Sequence, residues 1–202
     1  MKNHLTVIGI DQSYQNTGIT FSRDGEVLEV HGVSYPGCRN NTEKRKYLRE
    51  RLLSIAEMVI TDYPDSEYMC VVERIRLQSD GFLNMDYIKG IGALNACIVD
   101  VMYEYGIPVY SVDTRAWKTA IVGTARKQPN KYGLPEKKFP TIQWCVKHGY
   151  KKWIKDYNVG KRKKGILVDK RGERYTYDND KADSICISLY PFSPSPKLQE
   201  EH

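Results

Sequence analysis

Four carboxylates stand at the ends of the best-defined segments of this chain, and together they could hold divalent metal. Asp11 closes the apolar run His4 to Asp11 (HLTVIGID), and Glu73 closes the run Tyr68 to Glu73 (YMCVVE). Short, β-branched runs of this kind read as strands buried on both faces. Asp180 and Asp183 lie three apart at the start of Asn179 to Tyr190, where helical spacing makes them neighbours. Three separated elements could thus bring four acids to one spot. Carboxylates packed so closely repel one another unless cations sit among them. Mg2+ takes carboxylate oxygens, and a pair of such ions can clamp both the attacking and the leaving oxygen of a phosphodiester. Each acid also has a plainer reading. Asp11 could open a turn, and Glu73 could pair with Arg74 or Arg76. Asp180 could complement a helix dipole behind a cap at Asp178 or Asn179, and Asp183 could be solvated helix surface. Singly, the plainer reading suits Asp180 and Asp183; jointly, with the strand order, the four favour a metal site.

The elements that must position these acids are legible in the spacing. Thr17 to Arg23 and Glu26 to Ser34 flank Asp24-Gly25, a two-residue hairpin signal, so the chain opens with three strands. A helix capped at Thr42 places Leu48, Leu52, Ile55 and Val59 on one face and ends before Pro64. After the fourth strand, Phe82 to Tyr105 reads as a long helix with small residues at Gly90, Gly92, Ala93, Ala96 and Cys97, and with Gly106 just past its end. Ile107 to Val112 is a fifth strand. Asp113 or Thr114 then caps a short helix carrying Trp117 and Lys118. Gly123 to Pro135 reads as a loop and Glu136 to His148 as a helix with Pro140 in its first turn. Gly165 to Tyr177 is a basic hairpin turning near Arg171-Gly172, and Asn179 to Tyr190 is the last helix. The order βββαβαβα predicts an α/β domain over residues 1–190, followed by a disordered Ser/Pro tail over 191–202.

The charge is segregated. The 202 residues carry 31 Lys and Arg against 25 Asp and Glu, a net +6. Residues 115–174 alone hold 18 basic and 4 acidic side chains, so a block of net +14 sits on a body of net −8. All three tryptophans, Trp117, Trp144 and Trp153, fall in that block. Basic residues interleaved with aromatics suit a phosphate backbone and exposed bases; the plainer alternative is a solvated charged face. The five cysteines are odd in number, widely spaced and without a C-x-x-C pair, which argues against a zinc site or a disulfide framework. With no signal peptide and no membrane-length apolar run, the expected location is the cytoplasm, bacterial or of a phage-infected host.

The segments GIDQSYQNTG (Gly9 to Gly18), VVERIRLQ (Val71 to Gln78) and DKADSICIS (Asp180 to Ser188) resemble the three acidic motifs of the RuvC Holliday-junction resolvases. The resemblance runs from about Leu5 to Tyr190. It implies an RNase H-like fold, with a five-stranded mixed sheet and flanking helices. By resemblance, Asp11, Glu73, Asp180 and Asp183 are the catalytic, metal-binding acids, and Lys118 matches a lysine near the scissile phosphate. Either Lys137 or Lys138 matches a second functional lysine. The family works as a homodimer in which the long helix after Glu73 contributes to the interface. Bacterial members often carry an aromatic three residues after the glutamate; this chain has Arg76 there. The span 150–177, with Lys161, Arg162, Lys163 and Lys164, looks longer than the family core and would add a basic DNA-binding arm. In overall appearance the chain is similar to phage-type members. The resemblance implies a crossover junction endodeoxyribonuclease for four-way and other branched DNA. It would use two Mg2+ per site, with Mn2+ as a substitute, and no small-molecule cofactor beyond the metal. The alternatives are a branched-DNA binder without catalysis and another RNase H-like nuclease acting on RNA–DNA hybrids. An actin-like ATPase is disfavoured, since Ser111 to Arg115 lacks the glycine of a second phosphate loop.

Overall fold

The alternation at the N-terminus builds an antiparallel meander. β1 (His4–Asp11), β2 (Asn16–Arg23) and β3 (Glu26–Ser34) pair in sequence. Their tight turn places Asp24 at φ 50° and Gly25 at φ 87°, the two positive values that the Asp-Gly pair supplies at least cost. The computed structural model describes residues 4–75, 85–123, 139–156, 166–168 and 174–201. α1 (Asn41–Asp62) is capped by Asn40 rather than by Thr42. Asn40 Oδ1 accepts from Glu43 N at 2.9 Å while Glu43 Oε1 accepts from Asn40 Nδ2 at 2.9 Å, so the two side chains cap reciprocally two residues before Thr42. β4 (Ser66–Glu73) then runs parallel to β1, and after α2 (Met85–Glu104) β5 (Val109–Val112) runs parallel to β4.

Asp113 caps the short α3 (Thr114–Trp117), and one π-helical turn (Lys118–Val122) ends at Gly123, φ 82°. α4 (Phe139–Lys147) and α5 (Lys151–Ile154) follow. A small antiparallel sheet of β6 (Lys155–Asp156), β7 (Ile166–Val168) and β8 (Arg174–Tyr177), in the order β6-β8-β7, forms the expected basic hairpin plus one short strand. α6 (Asn179–Leu189) starts from Asp178, whose Oδ1 accepts from Lys181 N at 3.1 Å. The expected helix start at Phe82, most of the 123–135 loop, the first residues of the Glu136 helix and the turn at Arg171-Gly172 lie outside the described residues.

The main sheet has six strands in the order β3-β2-β1-β4-β5-β9, one more than expected. The extra strand, β9 (Gln199–Glu200), comes from the tail that composition alone marks as disordered. The difference has a physical cause. β5 would otherwise present an unpaired edge, and the tail offers Leu198 to the apolar layer beside it. Arg74 Nη2 donates to Gln199 Oε1 at 2.5 Å, and Lys197 N donates to Tyr190 Oη at 2.7 Å, so side chains pin the tail at two further points.

Strand alternation sorts the core into two layers. Ile8, Ile10, Cys70 and Val72 face α1 and α2, where Leu48, Leu52, Leu94 and Ile98 are buried. Val7, Val71 and Val112 face the other way, toward Trp117, Ile142, Cys145, Ile154 and the α6 residues Ala182, Ile185 and Cys186. α6 lies unusually close to the sheet, and two glycines permit it. A Cβ on Gly9 would sit 2.4 Å from Ser188 N, and one on Gly18 only 2.0 Å from Asp180 O. Thr20 and Ser184 hydroxyls meet at 2.8 Å, and Ser22 Oγ donates to Ser188 O at 2.9 Å, satisfying the polar groups of this dry contact. All five cysteines are free. Among the described residues, no helix is long and apolar enough to cross a membrane.

Candidate active site

Asp11 and Glu73 reach the same face of the sheet for one reason: both occupy odd positions in strands whose odd residues face α6. Val7 and Val71 are buried on that side, and Ile10 pairs with Val72, so the next residues along each strand are Asp11 and Glu73. They stand at the C-terminal ends of parallel neighbours, where the chain leaves the sheet and a polar group can meet solvent. Across β1, Asp11 pairs with Gly18. Gly18 in turn touches the backbone of Asp180. The close approach of α6 therefore lays its first turns, with Asp180 and the buried Asp183, over the ends of β1 and β2.

Three of the four acids, Glu73, Asp180 and Asp183, are engaged by neutral donors. Glu73 is held at both oxygens: Thr114 Oγ1 donates to Oε1 at 2.8 Å and Trp117 Nε1 donates to Oε2 at 3.0 Å. Trp117 is fully buried, so this grip is fixed by core packing. Asn16 Nδ2 donates to Asp180 Oδ2 at 3.0 Å, with both Asp178 oxygens at 3.4 Å. Asn179 Nδ2 donates to Asp183 Oδ2 at 3.2 Å. Gln12 Nε2 donates to the Glu73 carbonyl at 2.5 Å and links the ends of β1 and β4.

Among the described residues, no three His, Cys, Asp or Glu side chains are gathered as one ion-holding group. The donor set nevertheless fits a hard divalent cation in its chemistry. It offers carboxylate oxygens from β1, β4 and α6 and no sulfur or imidazole. Gln12 Oε1 and Asn179 Oδ1, each next in sequence to one of the acids, are buried acceptors that meet no donor among the described residues. The waters around a hydrated cation would supply such donors.

Lys118 begins the π-helical turn directly after Trp117, with Nζ 4.9 Å from the indole centroid. Burial pushes the Cys186 thiol well up; Cys145 and the negative charge of Asp183 push it further, and the positive charge of Lys118 opposes them. Burial also raises the Tyr35 hydroxyl to about 12, against the Thr17 hydrogen bond that lowers it; Cys97 and Asp180 add smaller upward effects. Five of the expected site residues, Asp11, Glu73, Asp180, Asp183 and Lys118, thus sit around the ends of β1, β4 and α6. Arg76, Lys137, Lys138, Lys161, Arg162, Lys163 and Lys164 lie outside the described residues. Sequence reasoning missed Gln12, Asn16, Thr114, Asn179 and the indole of Trp117 as partners of the acids. Their signal was adjacency: Gln12 and Asn179 flank predicted acids, and Thr114 and Trp117 occupy the turn after the fifth strand.

Comparison with solved structures matches the overall fold to a known architecture. A Thermus thermophilus RuvC structure in complex with Holliday junction substrate superposes with a TM-score of 0.55 at 14% identity, over 93% of each chain. A second structure of Thermus thermophilus RuvC gives 0.55 at 15% identity, again over 93% of each. This chain has the RuvC fold. The RNase H-like architecture expected from the three acidic segments is therefore present, with the sixth strand as its addition. No protein-family model matches the chain, and no curated protein matches it by sequence. At such low identity the RuvC fold persists through burial pattern and strand order, which tolerate wholesale exchange of apolar side chains.

Proposed function

We propose that this chain is a divalent-cation-dependent endonuclease for four-way and other branched DNA. One observation carries the reading: on the RuvC fold, Asp11 and Glu73 stand side by side at parallel strand ends, on the face that α6 covers with Asp180 and Asp183. The four carboxylates would hold two Mg2+, or Mn2+ in its place, which when bound would activate a water and stabilise the departing 3′ oxygen. The chain's own residues do the rest. Thr114 and Trp117 keep Glu73 turned into the cleft, and Asn16 orients Asp180. Lys118 offsets the charge that builds on the phosphate. Water oxygen bonds to phosphorus and gives up a proton as the bond to the 3′ oxygen breaks, and the 3′ oxygen takes up a proton in turn. The products are a 5′-phosphate and a 3′-hydroxyl. The basic block from 115 to 174 holds the DNA arms through their phosphates.

Two symmetric cuts require two sites, and α2 offers a surface for pairing. The exposed large hydrophobics among the described residues, Met85, Tyr87 and Tyr103, all belong to it. Met85, Gly92, Ala96 and Tyr103 share one side of the helix, while Gly90 and Cys97 are buried inward. The small-residue stretch therefore divides between packing on the domain and an outward stripe narrow enough for a second helix to approach.

The test is a cleavage panel in Mg2+ on a four-way junction, a fork, a linear duplex and an RNA–DNA hybrid. Paired nicks in the junction and little cutting of the linear duplex are expected. Cutting of the hybrid alone would transfer the site to RNA–DNA hybrids. A second expectation concerns the Glu73 grip. Trp117→Phe removes one hydrogen bond to a carboxylate and leaves a small void. It should cost about 2 kcal/mol of stability and slow junction nicking about tenfold, with DNA binding unchanged. Calorimetry, nicking kinetics and a gel-shift titration measure the three, and an unchanged nicking rate would remove Trp117 from the machinery.

A further inference from the structure

Residues 139–155 form α4, the turn after it and α5, and hold four lysines with no aspartate or glutamate. Gly149 takes φ 87°, and Tyr150 N donates to Cys145 O at 2.9 Å. This turn folds the chain back on α4 and brings Tyr150 against Trp144. The Trp144 indole then has two rings nearly parallel to it. His148 lies 4.1 Å away at 22°, and Tyr150 lies 5.9 Å away at 27°. His148 Nδ1 is 2.8 Å from the Trp144 carbonyl. A carbonyl only accepts, so Nδ1 carries the proton and the imidazole is fixed in plane, with Nε2 left over. Trp144, Tyr150 and Trp153 pack on the buried layer of Ile142, Cys145 and Ile154. His148, Lys147 and Lys152 are exposed, and Lys152 Nζ lies 4.6 Å from the Trp153 ring centroid.

We propose that the Trp144–His148–Tyr150 stack, flanked by Lys147 and Lys152, is a platform on which an unpaired DNA base stacks. The choice of DNA rests on the nuclease reading; the platform itself rests on the ring geometry. A stack serving the core alone would bury its outermost ring. Here the indole is rooted in the core while the imidazole is exposed, with the exposed Lys147 and Lys152 before and after it in the chain. A nucleotide within a strand is bounded by two phosphates, and the exposed Lys147 and Lys152, which precede and follow the His148–Tyr150 segment in the chain, supply cations for them. Bases in an intact duplex already stack on each other, so the platform suits unpaired nucleotides such as those at an opened branch point. α4 packs against α6 and the Lys118–Val122 turn, so the platform flanks the helix that bears Asp180 and Asp183.

The test uses the full chain in EDTA, so that binding is read without cleavage. Fluorescence anisotropy follows a labelled oligothymidylate and a fully paired duplex of equal length. His148→Ala, at an exposed position, should weaken oligothymidylate binding about tenfold and leave duplex binding unchanged, and His148→Phe should restore it. Equal loss on both DNAs would mean that the position acts only as a charge, and no loss on either would mean that the stack is structural; each overturns the proposal. Failure of His148→Phe to restore binding also overturns it. If the oligothymidylate effect holds while the wild type leaves four-way junctions uncut, the nuclease reading falls and the platform stands.

Discussion

Gly18→Ala should be among the most damaging single-methyl changes in this protein. The added Cβ would lie 2.0 Å from Asp180 O, 2.3 Å from its carbonyl carbon and 2.8 Å from Lys181 N. These are backbone atoms at the start of α6, so no rotamer change can relieve the clash. α6 must retreat by more than an ångström, and it cannot do so alone. Ala182, Ile185, Cys186 and Ile187 are buried against Val7 and Val71, and the Thr20–Ser184 hydrogen bond spans the same contact. Overpacking of this kind costs about 3 kcal/mol or more, which for a chain of this size lowers the melting midpoint by about 10 °C. The functional loss should be larger than the loss of stability, because the displaced backbone is the one that positions Asp180. Thermal unfolding, together with nicking kinetics well below the midpoint, separates the two effects. A wild-type midpoint and rate would mean that α6 tolerates displacement and that its acids need no fixed position.

The same residues show how far the sequence could be read. β1 and β3 occur with the expected bounds because their signals are local: a run ending in an acid, and an Asp-Gly turn that demands positive φ. α6 was legible for the same reason, down to a cap at Asp178, one of two expected candidates. The acids were legible because strand ends and helix starts are where chain direction and solvent meet. The supporting donors were not. Trp117 lies 44 residues from Glu73, and Asn16 lies 164 from Asp180. Only the sheet order brings such pairs together, and periodicity carries no record of it. The tail strand escaped for a related reason. Gln199 and Glu200 have no strand propensity worth noting, and the open edge of β5 decides their conformation. Gly9 and Gly18 could be read as bounding an acidic segment; their physical role, admitting a helix backbone, appears only once α6 is seen against them.

The largest functional effect should come from Asp11→Asn. Asp11 lies centrally: it pairs with Gly18, neighbours Glu73 across the parallel β1–β4 pair, and lies under the first turns of α6. Asparagine keeps its shape and loses its charge, so the fold and the basic surface should persist. What goes is one anionic oxygen that, on the proposed reading, would help to hold divalent ions. Stabilisation from such ions amounts to several kcal/mol, and each 1.36 kcal/mol is a factor of ten in rate. A loss of at least about a thousandfold is therefore expected.

The most direct measurement is single-turnover nicking of a labelled four-way junction in Mg2+, with wild type and Asp11→Asn at protein concentrations where a gel shift shows both fully bound. If the four carboxylates form a divalent-ion nuclease centre, the wild type cuts and stops cutting in EDTA, while Asp11→Asn binds equally and leaves the junction intact. Equal nicking by the two proteins, or wild-type nicking that continues in EDTA, would contradict that centre.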